Sequence, residues 1–352
     1  MKIHVNKTRW YLTIVNSILL LLILICLIMF HVISGKLDSI ESADRWRGDS
    51  DLRFAQIGCF LPVDRPKTEE DILLFRRTLD QKLLDASLDA SDGTTLYSDA
   101  YSGQARLTVS GNQGKAEVNA IGVGGNFFLF HPLQLRSGSY ISGSDLMQDR
   151  VILDEALAWQ LFGSPDVSGM TVYVGETPLY VAGVIRRESD YASREAYGVD
   201  PGMFLSYSAF QALTDTEITC YEIVMPDMIS GFAKSIMNDN FDVGAGDIVE
   251  SSNRYSIKNL FQVVCDFGRR SMRNNGVIYP YWENAVRMTE DHLALLLVLI
   301  LLFAISPAVT ILVWIIKYTV RGYRKAKKVI PEKAFSARER KREEHYAKIG
   351  ER

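Results

Sequence analysis

The sequence predicts an α+β extracytoplasmic domain flanked by two transmembrane α-helices. Two long stretches without a charged residue, one near each end of the 352-residue chain, predict the helices. Hydrophobic residues make up 47% of the sequence, and they are concentrated in these two stretches. Between the stretches, residues 35–291 mix strand-like alternation with amphipathic helical patterns, which indicates a domain of mixed α and β structure.

The first apolar stretch predicts a membrane-spanning helix over residues 12–34, after a short segment of residues 1–11. Residues 12–33 hold no charged side chain and would cover about 33 Å as a helix, against a hydrocarbon core of about 30 Å. A cleaved signal peptide is the alternative. Signal peptides have apolar cores of about 7–15 residues, so the length favours an uncleaved anchor.

The second apolar stretch predicts another membrane-spanning helix over residues 292–317, followed by a basic tail, residues 318–352. Its uncharged part, residues 293–316, would extend about 36 Å as a helix, which again suffices to span a bilayer. Pro307 follows Ser306 inside it and predicts a kink, because proline removes a backbone hydrogen bond. A functional hinge at this position is an open alternative.

The distribution of charge predicts the topology. Lys2, Lys7 and Arg9 precede the first span, and the tail, residues 318–352, carries a net charge of +7. Residues 36–291 carry a net charge of −14. Because basic residues are enriched on the cytoplasmic side of membrane proteins, we expect a two-pass protein of the cell membrane with both termini cytoplasmic and the central domain extracytoplasmic.

The basic tail raises the question of its partner. Basic segments beside a span are attracted to anionic lipid headgroups, so the bilayer is the expected partner. Nucleic acid is not expected, because Glu339, Glu343 and Glu344 dilute the charge of the tail.

The four cysteines are uninformative about function. Cys26 lies in the first span, whereas Cys59, Cys220 and Cys265 are far apart in the central domain. One pair among these three could form a disulfide, and at least one thiol must then stay free. No spacing typical of a metal site occurs, so no metal is expected.

The first half of the central domain predicts a helix followed by two strands. Thr68–Asp71 resembles a capping box, the usual start of a helix. The apolar face of that helix would consist of Ile72, Phe75, Leu79 and Leu83. Residues 106–109 and 116–123 alternate as strands do, and the turn-forming residues 111–114 separate them.

Residues 151–185 carry the clearest pattern, which predicts a strand, a helix and a β-hairpin. The apolar VIL of residues 151–153 leads into DEALAWQLFG, where Gly163 fits a helix C-cap. TVYVGETPLYVAGVI follows, with alternating strands on either side of residues 175–178.

Residues 253–290 join the domain to the second span and leave two questions open. Their aromatic residues Tyr279, Tyr281 and Trp282 could lie at the membrane interface or pack in a core. Three of their basic residues, Arg269, Arg270 and Arg273, form either a solvated face or a contact with an acidic partner.

No catalytic residue, cofactor site or metal site is predicted. The sequence contains no GxxxxGK[ST] phosphate loop, no GxSxG nucleophile elbow and no HExxH zinc motif. Two carboxylate groups, Asp154 with Glu155 and Glu188 with Asp190, are interpreted as helix N-terminal charge or loop solvation. The five histidines are scattered, and an enzyme is not expected.

Several segments together resemble the extracytoplasmic core domain of MacB-type ABC permeases, in the wider FtsX-like permease group. GNFFLFHPLQLRSGSYIS (125–142) is similar to the segment of that domain in which an aromatic pair precedes a small helix and a turn. VILDEALAWQLFG, SGMTVYVGETPLYVAGVI and MFLSYSAFQAL resemble its next strand–helix unit, its hairpin and the stretch after the hairpin. The resemblance extends over about residues 100–240 and implies a MacB-like core domain at residues 35–291, with helical, stalk-like ends.

The resemblance also implies a function. The permeases have four transmembrane helices, whereas two are predicted here, so transport by this polypeptide alone is not expected. We expect a non-catalytic, permease-like subunit of an ABC-type export or mechanotransmission complex. Its implied partners are a separate ABC ATPase, a multi-helix permease and an extracytoplasmic adaptor protein. A membrane-anchored binding or sensory module is the alternative.

Overall fold

A computed structural model describes residues 7–35, 37–88, 95–143, 145–198, 200–270 and 276–350. It contains two compact units. One unit consists of Met1–Phe30 with Leu296–Arg352, and the other consists of His31–Leu295. We call them the membrane unit and the central domain.

Ten helices occur in the described residues, in addition to a short 3₁₀ turn at Asp38–Ile40. They are α1 (Lys7–Ser34), α2 (Ser42–Arg47), α3 (Glu69–Asp85), α4 (Phe127–Phe130), α5 (Glu155–Phe162), α6 (Tyr191–Tyr197), α7 (Tyr207–Thr214), α8 (Phe232–Asn240), α9 (Ile257–Arg270) and α10 (Tyr281–Gly350).

Ten strands occur in the same residues and form one sheet. They are β1 (Phe54–Phe60), β2 (Ser98–Gly111), β3 (Gly114–Gly125), β4 (Gln134–Gly138), β5 (Arg150–Asp154), β6 (Thr171–Val174), β7 (Thr177–Arg186), β8 (Gly202–Ser206), β9 (Cys220–Pro226) and β10 (Asp247–Glu250).

The membrane unit consists of α1 and the later part of α10. Both are long and apolar enough to span a membrane, over Trp10–Ser34 and within Tyr281–Arg324. Asn16 of α1 donates a hydrogen bond to the Thr310 hydroxyl at 3.0 Å and accepts one from Ser306 at 2.8 Å. Interhelical hydrogen bonds of this kind hold spans together where apolar side chains gain nothing over lipid. The two predicted spans therefore pack against each other.

The sheet of the central domain is mixed. Its strand order is β10-β1-β9-β2-β3-β8-β5-β7-β4, and β6 pairs with β2 and β7. The β3–β8 and β5–β7 pairs are parallel, and the other pairs are antiparallel. Successive side chains along a strand point to opposite faces, so strands buried on both sides need a core on each face.

Each face of the sheet has its own apolar core. The first core lies under α3, α5, α7 and α8 and includes Leu79, Leu157, Phe210 and Met237, all fully buried. The second core lies on the other face and contains residues of α2, α4 and α6 together with Tyr281 and Trp282 from the start of α10. The core interpretation of these two aromatic residues is thus confirmed.

The predicted local elements are confirmed. Thr68 and Asp71 exchange the two hydrogen bonds of a capping box at the start of α3. At α5, Asp154 accepts a hydrogen bond from the Leu157 amide at 2.6 Å, and Gly163 ends the helix with a φ of 72°. That left-handed conformation strains a residue with a Cβ, which explains the glycine.

The cysteines are all free thiols. Cys59 and Cys220 lie on adjacent strands, but the register pairs Cys59 with Tyr221 and Cys220 with Phe60. The two thiols therefore point to opposite faces, one into each core, and this placement disfavours a bond between them. Cys265 is exposed on α9.

Candidate functional site

A buried cluster of ionised side chains lies where α10 begins. We call it the charge network. At its centre is Arg254, whose residue is only 5% exposed. Its guanidinium donates two hydrogen bonds to Glu283, at 2.6 and 2.7 Å, and another to Glu290 at 2.7 Å. Such short, charge-assisted and bidentate contacts are among the strongest in proteins.

Two further arginines extend the charge network. Arg270, the last residue of α9, donates to Glu290 at 2.6 Å, and Arg287 donates to Glu283 at 2.6 Å. Arg287 also lies 3.3 Å from Asp247 at the start of β10. The network thus joins three arginines to Glu283, Glu290 and Asp247, and Arg270 also lies 3.5 Å from Asp291.

The local sequence explains why these groups meet. Glu283, Arg287 and Glu290 are four and three residues apart on α10, which places them on one helix face. Arg254 comes from the segment between β10 and α9, and Arg270 comes from the end of α9. One face of α10 therefore holds the edge strand of the sheet and both ends of the α9 region.

Electrostatics keep Arg254 charged. Burial lowers the pKa of Arg254, but the adjacent Glu283 and Glu290 carboxylates outweigh burial and raise that pKa above its ordinary value. Desolvating an ion pair costs several kcal/mol per ion, so an excellent geometry is needed to offset it. The network is better suited to fixing the position of α10 than to stabilising the domain at large.

The first turn of α10 is also anchored in the second core. The Trp282 ring lies 4.3 Å from the His131 ring and 5.4 Å from the Phe127 ring. The Tyr281 ring stacks on Tyr197 at 3.7 Å. Packed aromatic pairs contribute about 0.5–1.5 kcal/mol beyond their buried area, so this turn is held firmly.

His131 and Glu222 form another buried pair in this core. The Nε2 atom of His131 lies 2.6 Å from Glu222 Oε2, and the two side chains are 1% and 7% exposed. The histidine thus connects α4 and β9 to the aromatic ring of Trp282. Sequence reasoning counted His131 among the scattered histidines and missed this contact.

The two pairs of carboxylates, Asp154 with Glu155 and Glu188 with Asp190, are interpreted from the sequence as helix N-terminal charge or loop solvation, and their members differ in the structure. Asp154 and Asp190 are N-caps of α5 and α6, as expected. Glu188 is half-buried, so the interpretation as a solvated loop residue holds only in part: its Oε2 atom is buried and has no hydrogen-bond partner in the described part of the chain. Burial raises the pKa of Glu188 above its ordinary value.

One of the three arginines left open in residues 253–290, Arg270, meets acidic groups of the same chain. Arg270 belongs to the charge network, Arg269 is exposed, and Arg273 lies outside the described residues. The network itself could have been suspected from the sequence, because Glu283, Arg287 and Glu290 share a helix face next to an apolar span. Arg254 carries no such signal, since its contacts depend on the fold.

Within the residues that the structure describes, no three His, Cys, Asp or Glu side chains are grouped as metal ligands would be. Each carboxylate of the charge network contacts an arginine, and no carboxylate pair lies beside a nucleophile among the described residues. Its arrangement is suited to mechanical connection.

Comparison with known proteins identifies the family. The model of the MacB-like periplasmic core domain matches residues 21–231, more than half of the chain. No curated protein matches.

Three solved structures are similar to the chain. The periplasmic region of MacB from Actinobacillus actinomycetemcomitans is 16% identical, with a TM-score of 0.41, over 59% of this chain and 92% of that one. The extracellular domain of the noncanonic ABC-type transporter YknZ from Gram-positive bacteria is 17% identical, with a TM-score of 0.38, over 56% and 100%. A domain of a protein assigned as a permease from Porphyromonas gingivalis is 13% identical, with a TM-score of 0.33, over 60% and 96%.

The family assignment rests on the matched residues, which include the strand–helix–hairpin unit of residues 151–185 that resembled the family. A periplasmic-type domain and two candidate membrane helices describe a membrane protein with an extracytoplasmic domain. The chain belongs to the family of MacB-like periplasmic core domains, which are found in ABC-type transporter permeases.

Proposed function

We propose that this chain is a non-catalytic, permease-like subunit that couples a separate ABC ATPase and a multi-helix permease to events outside the cytoplasm. The observation that carries the proposal is the double role of α10. Its residues 281–290 complete the second core and the charge network, and its later residues form a candidate membrane span. A helix shared in this way provides a covalent path for motion between the bilayer and the domain.

The charge network supports the coupling role. A packed apolar surface alone tolerates small sliding movements, whereas short bonds from Arg254 to Glu283 and Glu290 fix both the rotation and the height of α10. Movement of α10 would therefore be passed to β10 and α9 through Arg287 and Arg270.

The proposal includes a topology and a set of partners. Both termini are cytoplasmic, so the basic tail faces the side on which an ATPase works. The central domain is outside, where it is available to an extracytoplasmic adaptor. The basic charge after the second span favours this orientation.

The first test is purification of the tagged full-length chain from gently solubilised membranes, with mass spectrometry of its partners and an ATPase assay. We expect an ABC ATPase and a multi-helix permease to co-purify, with MgATP hydrolysis in the eluate. Recovery of the chain alone in several detergents, without ATPase activity, would contradict the proposal.

A second test separates coupling from assembly. Glu290→Gln removes the charge that faces Arg254 and Arg270, whereas Glu176→Gln makes the same change at an exposed hairpin turn. We expect Glu290→Gln to retain the partners but alter the rate of ATP hydrolysis by the complex, and Glu176→Gln to leave it unchanged. Equal rates in both variants would count against a coupling role for the network.

One observation favours the alternative of an extracytoplasmic binding or sensory module. A cavity of about 360 Å³ lies in the central domain, lined by aromatic rings such as Tyr197, Tyr279 and Phe204 and by the amides of Gln104 and Asn119. This size and lining are typical of small-molecule sites. A ligand that binds the chain without any partner, and loses affinity in Asn119→Leu, would support this alternative.

A further inference from the structure

A cleft opens between the two helices of the membrane unit, below the hydrogen bonds of Asn16. It has a volume of about 750 Å³. One wall is formed by Leu12 and Thr13 of α1, and the other wall is a single face of α10.

The face of α10 that lines the cleft changes character along its length. Ser306, Thr310, Val313, Lys317 and Arg321 are spaced by four, three, four and four residues, which keeps them on one side of the helix. The face is thus weakly polar at its upper end, apolar in the middle and doubly basic at its lower end.

The polar groups at the upper end are already satisfied. Asn16 bonds to Ser306 and Thr310, and the Thr310 hydroxyl donates to the Ser306 carbonyl at 2.8 Å. They leave little reason for water to fill the cleft. Its remaining walls, which include Val309 and Val313, suit a hydrocarbon chain.

The basic end of the cleft has no internal counter-charge. Neither Lys317 nor Arg321 makes an ion pair with another residue that the structure describes, and both side chains are exposed. Beside them, the rings of Trp314 and Tyr318 lie 5.8 Å apart. Tryptophan and tyrosine are typical of the level at which lipid headgroups lie.

The length of the face matches one leaflet. Eleven residues separate Ser306 from Lys317, which corresponds to about 17 Å along the helix. Half of a hydrocarbon core of about 30 Å is about 15 Å. A lipid whose phosphate contacts Lys317 and Arg321 would therefore place its chain tips near Ser306.

We propose that this cleft is a specific site for one anionic phospholipid of the leaflet at the basic ends of the spans, with its phosphate held by Lys317 and Arg321. Basic pockets between transmembrane helices on the cytoplasmic side bind anionic headgroups in this way. The site differs from a general attraction of the tail to the membrane, because it requires the apolar cleft as well as the two charges.

The test uses the full-length protein in nanodiscs that contain a trace of phosphatidylglycerol with a diazirine in its acyl chain. A parallel sample contains phosphatidylcholine with the same chain. After illumination, adducts are mapped by mass spectrometry. We expect labelling on residues 306–321 to favour phosphatidylglycerol by about 30-fold, the effect of two basic side chains at a membrane surface.

Three variants make the test specific. Lys317→Gln/Arg321→Gln should abolish the preference, whereas Arg324→Gln/Lys327→Gln, the same charge loss at residues that do not line the cleft, should keep it. Val313→Trp fills the cleft without changing charge and should reduce labelling by both lipids at least fivefold. These results would support the site, and Val313→Trp tests it independently of the charge variants.

Other outcomes would overturn the proposal. Equal labelling by the two lipids, or equal loss in the two charge-removing variants, would indicate diffuse attraction only. Displacement of the probe by soluble glycerol phosphate would indicate a phosphate site without a lipid chain. In a further outcome, lipid adducts are found only on a neighbouring polypeptide, and a cysteine introduced by Val313→Cys crosslinks to a helix of that polypeptide. Together, these two results would indicate that a protein helix, and not a lipid, occupies the cleft.

Discussion

Polar side chains are held away from water in two regions of this molecule, and the two regions use different chemistry. In the central domain, the charge network holds the ionised side chains of Arg254, Glu283 and Glu290 at 2.6–2.7 Å. In the membrane unit, the neutral side chains of Asn16 and Thr310 meet at 3.0 Å. Full charges must be matched one for one, whereas neutral groups can lose a partner at modest cost.

The difference between ionised and neutral contacts indicates how firmly each region holds its helices. A buried ion cluster is weak evidence of stability, but it allows only one position for α10 relative to β10 and α9. The two hydrogen bonds of Asn16 with Thr310 and Ser306, which we call the clasp, join neutral groups and are weak enough to break and form again. We therefore expect the charge network to fix the start of α10 more firmly than the hydrogen bonds of Asn16 hold the two spans together.

The largest expected effect comes from removing the centre of the charge network. Arg254→Ala leaves the carboxylates of Glu283 and Glu290 buried with fewer cations, which should cost about 3–5 kcal/mol of unfolding free energy. Denaturant unfolding of the full-length protein in nanodiscs, followed by tryptophan fluorescence, measures this cost.

The matched control is Arg106→Ala. Arg106 also pairs with a carboxylate, Asp200 at 2.8 Å, but its side chain is 63% exposed. An exposed pair contributes at most about 1 kcal/mol. If the two variants unfolded at the same denaturant concentration, the charge network would contribute no more to stability than an exposed ion pair does.

The second effect tests geometry without changing charge. Arg287→Lys keeps the positive charge but cannot reach both Glu283 and Asp247 while covering the Tyr279 ring, which now lies 3.8 Å below the guanidinium. We expect a loss of about 1.5–3 kcal/mol, the value of a hydrogen bond to a charged group. The exposed Arg269→Lys should lose almost nothing in the same unfolding experiment.

Local structure was predictable from the sequence because its signals are local. The capping box at Thr68, the glycine that ends α5 and the hairpin of residues 171–186 each depend on residues a few positions apart. The two spans followed from hydropathy alone. These patterns survive folding because tertiary contacts do not oppose them.

The candidate site was mostly hidden from the sequence because it is assembled from distant segments. Arg254 meets Glu290 across 36 positions, and His131 meets Glu222 across 91. Nothing in either local sequence identifies the partner. Only the helix face shared by Glu283, Arg287 and Glu290 could have been inferred from the spacing of residues along the chain.

The third prediction concerns Glu188, a half-buried carboxylate that pairs with no arginine among the described residues. The Tyr281 hydroxyl lies 3.5 Å from Glu188 Oε1, and burial raises the pKa of Glu188. The ionised carboxylate of Glu188 therefore destabilises the folded state at neutral pH, and Glu188→Gln should stabilise the protein. A gain of about 1 kcal/mol would raise the melting temperature by about 2–4 °C.

The pH dependence gives the sign of this effect. Below the pKa of an unfolded glutamate, about 4.3, both states of the wild type are protonated and the variant should gain nothing. Above that pH the unfolded state loses its proton first, so the gain should grow until the pH passes the raised pKa of the folded state. Glu195 on α6 is exposed, so Glu195→Gln is the control whose effect on stability should not change with pH. A gain that did not change with pH would refute a role for ionisation.

The smallest effect is expected in the membrane unit. Asn16→Val removes both hydrogen bonds of the clasp, and such bonds between spans average about 0.6 kcal/mol. Crosslinking between cysteines placed on the two spans, in nanodiscs, measures how often they meet. Its yield should fall between about threefold and about eightfold, the range from the loss of one such bond to the loss of both. Thr319→Val, which removes a hydroxyl bonded only to its own helix, should leave the yield unchanged. Complete loss of crosslinking in Asn16→Val would show that the clasp is as rigid as the charge network and would remove the contrast between the two regions.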